Sequence, residues 1–234
     1  MGAVQLFLTD TRTLAGREAE SLLWLTEKRR EEAASFQNEK ARLLHCAAGL
    51  LLRRVLCVTK DEELAIGPMG KPSLACGGVE FSLSHAGRYA ALAVSGQAVG
   101  VDVEPVRLPN AFPRKVFTQE ELDWFSAHPG PKNFCQLWTR LESALKAEGC
   151  GLGKGARAFS LLEPGAPWYW ESMTFDGHLF TCSAQSPVDF GLRRCLPPPC
   201  SGEGGRQRFP RGRGRTTDQY MVLIKRSLRN DIFV

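Results

Sequence analysis

The chain has 234 residues, 43% hydrophobic and 24% charged, which suits one substantial core or two small lobes sharing an interface and excludes collagen, coiled coil and wholesale disorder. The formal charge of +5 sits at the end of the chain: residues 197–234 hold eight Lys or Arg against three Asp or Glu, and the preceding 196 residues balance at 22 against 22. The body therefore carries no net basic footprint for nucleic acid.

The longest apolar run, 43–52, is interrupted by His45 and falls short of the roughly 18 residues that span a bilayer. The opening MGAVQLFLTD has no basic segment ahead of an apolar one, and Leu6 stands where a myristoylation signal takes Ser or Thr. A cytoplasmic chain without a membrane anchor is expected. Cys46, Cys57, Cys76, Cys135, Cys150, Cys182, Cys195 and Cys200 form no CxxC pair, so they read as free thiols rather than zinc ligands or a redox dithiol.

In chain order, VQLFLTD predicts a strand, and residues 17–58 a long helical stretch broken near 35–38. Its apolar residues Leu22, Leu25, Leu43, Leu44, Ala47, Leu50 and Leu51 recur at helical spacing. Residues 67–72, GPMGKP, punctuate a loop, and 79–83 predict a strand running into a Ser84-His85-Ala86-Gly87 corner. Strands at 89–94 and 98–104 follow, joined by a turn at 95–97. Helices are predicted at 117–126 and 134–148, the second stopped by the glycines of 149–155. Strand-like pieces at 159–162, 168–175, 178–183 and 190–195 complete the body. Strands and helices segregate within each half, so the fold class is α+β rather than a doubly wound sheet. From Pro197 the composition becomes Gly-, Pro- and Arg-rich and cannot offset the cost of ordering. Residues 197 to about 217 are expected to be disordered, with 220–224 at best a loosely docked strand.

Three segments carry chemistry. In QAVGVDVE, 97–104, strand alternation sets Gly100, Asp102 and Glu104 on one face, the carboxylates about 7 Å apart, beside a glycine that leaves room for something bulky. The pair also reads as a solvated acidic strand end. In WTRLESALK, 138–146, Glu142 and Lys146 share a helix face, as an ordinary surface pair would. If Glu142 meets Asp102 and Glu104, three oxygen ligands suited to Mg²⁺ assemble, and Lys146 reaches a bound phosphate. In FSLSHAG, 81–87, His85 sits among serines and a glycine, residue types that suit a phosphate oxygen. Lys71, in the GKP loop, adds a cation.

These motifs, GKP (70–72), FSLSHAG (81–87), GVDVE (100–104), FTQEE (117–121) and WTRLESALK followed by EGCGL (138–152), closely resemble the ordered signature of the Sfp-type 4′-phosphopantetheinyl transferases. The resemblance extends over residues 5–195, including the EKRR run at 27–30. It implies two pseudo-twofold-related α+β lobes in one chain, 1–97 and 98–196, with 197–234 a basic tail. It implies an enzyme that moves the 4′-phosphopantetheine arm of coenzyme A to a serine of an apo carrier protein, releasing 3′,5′-ADP, with Mg²⁺ as cofactor. By the same resemblance Asp102, Glu104 and Glu142 hold the metal. Lys28, Arg30, Lys71, Pro72, Ser84 and His85 meet the phosphates, and Lys146 the pyrophosphate. Glu142, Lys146 and His85 form the catalytic set, and the protein is expected to act as a monomer.

One position departs from the pattern. The lysine that precedes the glutamate in the family is Leu141 here. Adjacent helix residues point about 100° apart, so Leu141 does not face the metal if Glu142 does; Arg140 is a candidate substitute cation. The departure leaves open a homologue that binds CoA but has lost transfer. A further reading, RNA binding through Arg206, Arg208, Arg211, Arg213 and Arg215, has no interleaved aromatics beyond Phe209.

Overall fold

A computed structural model describes residues 4–152, 159–188 and 190–194. β1 (Val4–Asp10) opens the chain, and α1 (Glu18–Leu22), α2 (Glu27–Ser35) and α3 (Glu39–Leu56) follow. Asn38 starts α3 by accepting from the Ala41 amide at 3.1 Å. The helical stretch is thus broken twice, at 23–26 as well as at 36–38. β2 (Leu64–Ile66) and β3 (Pro72–Leu74) form a small separate sheet on either side of the GKP loop. β4 (Glu80–Ala86), β5 (Tyr89–Ser95) and β6 (Val99–Pro105) come next. β4 is longer than the sequence predicts and includes Ser84 and His85, which lie in strand rather than at a loop corner.

α4 (Gln119–Ala127) begins with a reciprocal capping box between Thr118 and Glu121, and α5 (Pro131–Glu148) begins with proline and ends at Gly149. β7 (Tyr169–Phe175), β8 (His178–Ala184) and β9 (Phe190–Arg194) complete the described chain. Residues 159–162, predicted as a strand, are an irregular loop. Its backbone bonds go to side chains instead: the Leu161 amide donates to Glu121 and its carbonyl accepts from Arg140. The expectations for residues 197–234 lie outside the described residues.

The architecture is α+β. One sheet runs β4-β5-β1-β9 and another β6-β8-β7. In each, the second strand of a hairpin is central and pairs antiparallel with the strand that opens its half of the chain. β9 crosses back to pair parallel with β1. Alternation along β1 sends Phe7 toward α3 and Val4, Leu6 and Leu8 toward Val99, Val101, Val103 and Phe180 of the other sheet. The two sheets therefore share one apolar layer, with α3 covering the outer face of the first and α5 that of the second. α5 sits directly on β6 because residue 100 is glycine: a Cβ there would collide with the Ser143 carbonyl and the Ala147 amide. The room left by Gly100 is filled by this helix. Hydroxyl pairs Thr139–Thr181 at 2.6 Å and Ser143–Ser183 at 2.7 Å satisfy the buried polar groups between α5 and β8.

Candidate functional site

The seam between β4, β6 and α5 gathers the charged groups. Asp102, only 4% exposed, projects from β6 toward α5, where the Lys146 ammonium donates to its Oδ1 at 2.6 Å. Ser84 on β4 donates to the same oxygen at 2.8 Å, and Lys146 also donates to the Ser84 hydroxyl at 3.0 Å. Two residues earlier on the same strand, Ser82 accepts from the Val101 amide at 3.1 Å, so two serines of β4 fasten it to β6. Asp102 Oδ2 is buried and has no hydrogen-bond partner. Such an atom is costly without a cation or donor.

Glu104, two residues along, shares the Asp102 face, and Glu142 lies one helical turn before Lys146. Burial, reinforced by the Asp102 charge, pushes the Glu104 carboxyl up to about 7. Glu142 is raised by the same two causes, opposed by Lys146. The three carboxylates are therefore within electrostatic reach of one another. His85 is exposed at the rim of this group. Its imidazole is shifted down by partial desolvation and by the Lys146 and Arg29 cations, which favours the neutral ring. Among the described residues, no three His, Cys, Asp or Glu side chains already converge into a metal cage. The donor set is nonetheless of the hard-oxygen type that Mg²⁺ takes, and the orphaned Oδ2 is a free ligand atom.

Ser84, Asp102 and Lys146 are thus in direct contact, with Glu104, Glu142 and His85 around them. The remaining candidates lie elsewhere. The Lys71 ammonium donates to the carbonyls of Val99 at 3.3 Å and Ala147 at 3.2 Å, fastening the GKP loop to the C-terminal turn of α5. Pro72 is the first residue of β3, paired with Ile66. Lys28 and Arg30 are exposed on α2; the Lys28 amide donates to Asp61 at 3.0 Å, and the Arg30 guanidinium to the Leu25 carbonyl at 3.3 Å. Between them Arg29, which the sequence reading passed over, turns inward and donates to the His45 carbonyl at 3.2 Å. Leu141 is 2% exposed, packed with Leu137, Leu145, Leu161 and Leu179. Arg140 is no substitute cation: its guanidinium lies 3.6 Å from the Trp170 ring centroid and donates to the Leu161 carbonyl. Burial brings it down to about 10.

A cavity of about 440 Å³ opens beside Glu104, with Arg107, Phe134, Cys135 and Trp138 in its wall. Its one sequence signal is the run of prolines after the D-x-E strand, which turns the chain away from the sheet at 105–113. No helix of the described residues is long and apolar enough to cross a membrane.

The geometry defines an α+β protein with a buried, cation-fringed carboxylate cluster at the seam of its two sheets. The model of the 4′-phosphopantetheinyl transferase superfamily matches residues 98–182, the stretch from β6 through β8 that carries Asp102, Glu104, Glu142 and Lys146. A Synechocystis protein named "Putative 4′-phosphopantetheinyl transferase" is 31% identical over 161 residues, covering 63% of this chain and 64% of that protein. The Bacillus subtilis 4′-phosphopantetheinyl transferase Sfp is 26% identical over 163 residues, covering 64% of this chain and 72% of its own length. Residues 98–182 thus match the model of this superfamily, and the chain is similar to proteins named 4′-phosphopantetheinyl transferases over 161–163 residues.

Proposed function

We propose that the protein transfers the 4′-phosphopantetheine arm of coenzyme A to a serine hydroxyl of a carrier protein, releasing 3′,5′-ADP. The observation that carries this reading is the meeting of Asp102, Ser84 and Lys146 at the seam, flanked by Glu104 and Glu142, within the segment matched by the superfamily. The two lobes, 1–97 and 98–196, are read as pseudo-twofold related, supported by the like orders β4-β5-β1 and β7-β8-β6, with β9 of the second segment crossing to the first sheet. The protein is taken to work as a cytoplasmic monomer.

The carrier serine oxygen attacks the β-phosphorus of CoA, and the bond from that phosphorus to the bridging oxygen breaks, leaving with 3′,5′-ADP. Glu142, whose raised pKa suits a proton acceptor, takes the serine proton. Lys146 exchanges Asp102 for the pyrophosphate and His85 donates to a phosphate oxygen. Lys71, Pro72, Lys28 and Arg30 line the approach of the nucleotide. Asp102, Glu104 and Glu142 would hold Mg²⁺, which when bound supplies charge neutralisation on the phosphates. Leu141 is buried in the core rather than turned to the site, which supports transfer over the alternative reading of a catalytically impaired CoA-binding homologue.

The test is a panel of apo carriers incubated with fluorescent CoA and Mg²⁺, with and without chelator. Labelling of a carrier that is lost with chelator and with Glu142→Ala is expected. CoA binding without any labelling overturns the reading in favour of a binding protein.

A further inference from the structure

The mechanism leaves unused a second junction between the sheets, where two hairpin turns meet tip to tip. The β4–β5 turn contributes Gly87 and Arg88, and the β7–β8 turn contributes Asp176 and Gly177. Both turns need positive φ, +62° at Gly87, 49° at Asp176 and +70° at Gly177. Arg88 forms an ion pair with Asp176, and the Tyr89 hydroxyl donates to Asp176 Oδ2 at 2.8 Å.

His178, the first residue of β8, sits between these parts. Its Nδ1 lies 2.9 Å from the Asp176 carbonyl, which can only accept, so Nδ1 carries the proton and Nε2 the lone pair. Nε2 is buried without a hydrogen-bond partner and occupies the place where a Cβ on residue 87 would lie. The ring meets Tyr89 edge-on at 4.9 Å and 86°. On its other side, His178 pairs across the sheet with Pro105, next to Glu104. The residue therefore links the end of the carboxylate strand, through its backbone pairing, to the glycine that follows Ser84-His85-Ala86, through its ring.

We propose that His178 is a positioning residue: it fixes the Ser84–His85 segment in register with Asp102 and Glu104, the Asp176 carbonyl holds its tautomer and ring orientation, and the Asp176 carboxylate ties the two turns together through Arg88 and Tyr89. The inference rests on the transfer reading. Displacing the Ser84–His85 segment moves the phosphate-facing groups away from the carboxylates, and misplacement of about 1 Å costs up to ~10²-fold in such sites.

The experiment uses the full chain and the variants His178→Ala, Asp176→Asn, His85→Ala and the His178→Ala/His85→Ala pair. CoA dissociation constants and carrier-labelling KM and kcat are measured together with amide hydrogen exchange of residues 84–87 in ligand-free protein. His178→Ala is expected to speed that exchange and weaken CoA about tenfold, and Asp176→Asn, which keeps the carbonyl but weakens the Arg88 and Tyr89 contacts between the turns, to do both to a smaller extent. Added to His85→Ala, His178→Ala should cost less than it does alone, because the two act partly through the same segment. Additive losses, or unchanged exchange and CoA affinity in a folded His178→Ala variant or, should that not fold, in Asp176→Asn, overturn the inference while leaving the transfer reading intact. Wild-type protein that neither binds CoA nor labels a carrier overturns both.

Discussion

Lys146 donates to Asp102 at 2.6 Å from the helix that covers the strand bearing the carboxylate. The Asp102 side chain is 6% exposed and that of Lys146 30%. Removing the ammonium leaves a buried carboxylate with Ser84 as its one remaining donor on Oδ1. Lys146→Ala is expected to destabilise the metal-free protein by about 2 kcal/mol, below the figure for fully buried pairs because the lysine is partly solvated. Millimolar Mg²⁺ should recover part of the loss by replacing the cation at Asp102. Urea unfolding with and without Mg²⁺ checks both, and an unchanged midpoint counts against the pair as a structural element.

Restoring the family's lysine at residue 141 has the opposite outcome to the one that the motif alone suggests. Leu141 is packed among Leu137, Leu145, Leu161 and Leu179 on the side of α5 away from the carboxylates. Leu141→Lys trades a well-buried side chain for an ammonium without a partner, a cost of several kcal/mol. A lower thermal midpoint with no gain in labelling rate is expected. Faster labelling at unchanged stability is incompatible with this placement of α5.

The Glu104 carboxyl, pushed up to about 7 by burial and by Asp102, makes a pH-dependent contribution of definite sign. Its folded pKa exceeds its unfolded value near 4.5, so its contribution to stability is fully present below about 4.5 and is lost as pH rises through about 7. His45, His85 and His178 are shifted down and act in the other direction as pH falls below about 6.5. The difference between wild type and Glu104→Gln isolates the carboxyl: in metal-free urea unfolding, wild type should lose ground to the variant between pH 5 and 8. Mg²⁺ binding needs the ionised carboxylate, so its affinity should climb with pH up to about 7 with proton release. Calorimetry in buffers of different ionisation enthalpy reads that release.

Much of this arrangement was legible in the sequence. Strand alternation placed Gly100, Asp102 and Glu104 on one face, and helical spacing paired Glu142 with Lys146, because both are local periodicities. The return of β9 to β1 was not, since it pairs residues nearly a whole chain apart and no local pattern encodes the partner. Lys71 was read as a free cation because a GKP turn looks exposed by composition; only the packing of α5 presents carbonyls for it to cap. In the EKRR run the residue types are the same, so sequence gave no reason to separate inward-turned Arg29 from its exposed neighbours. The FTQEE motif is structural here: Glu121 caps α4 and holds the Leu161 amide.

The tightest geometric constraint on the site comes from Gly100. A methyl group at this position meets the Ser143 carbonyl and the Ala147 amide, both helix backbone, and backbone cannot swing aside as a flexible side chain can. Gly100→Ala therefore requires α5 to lift from β6, and the lift carries Glu142 and Lys146 away from Asp102 while loosening the Ser143–Ser183 hydroxyl pair. Overpacking of this kind costs about 3 kcal/mol, and the loss of alignment should reduce carrier labelling by more than the fall in folded fraction explains. Gly165→Ala, where a new Cβ meets nothing within 4 Å, is the matched control and should be near neutral. Urea unfolding and labelling of both variants under conditions that keep them folded decide the matter: if Gly100→Ala matches Gly165→Ala in both, α5 is not seated on this glycine.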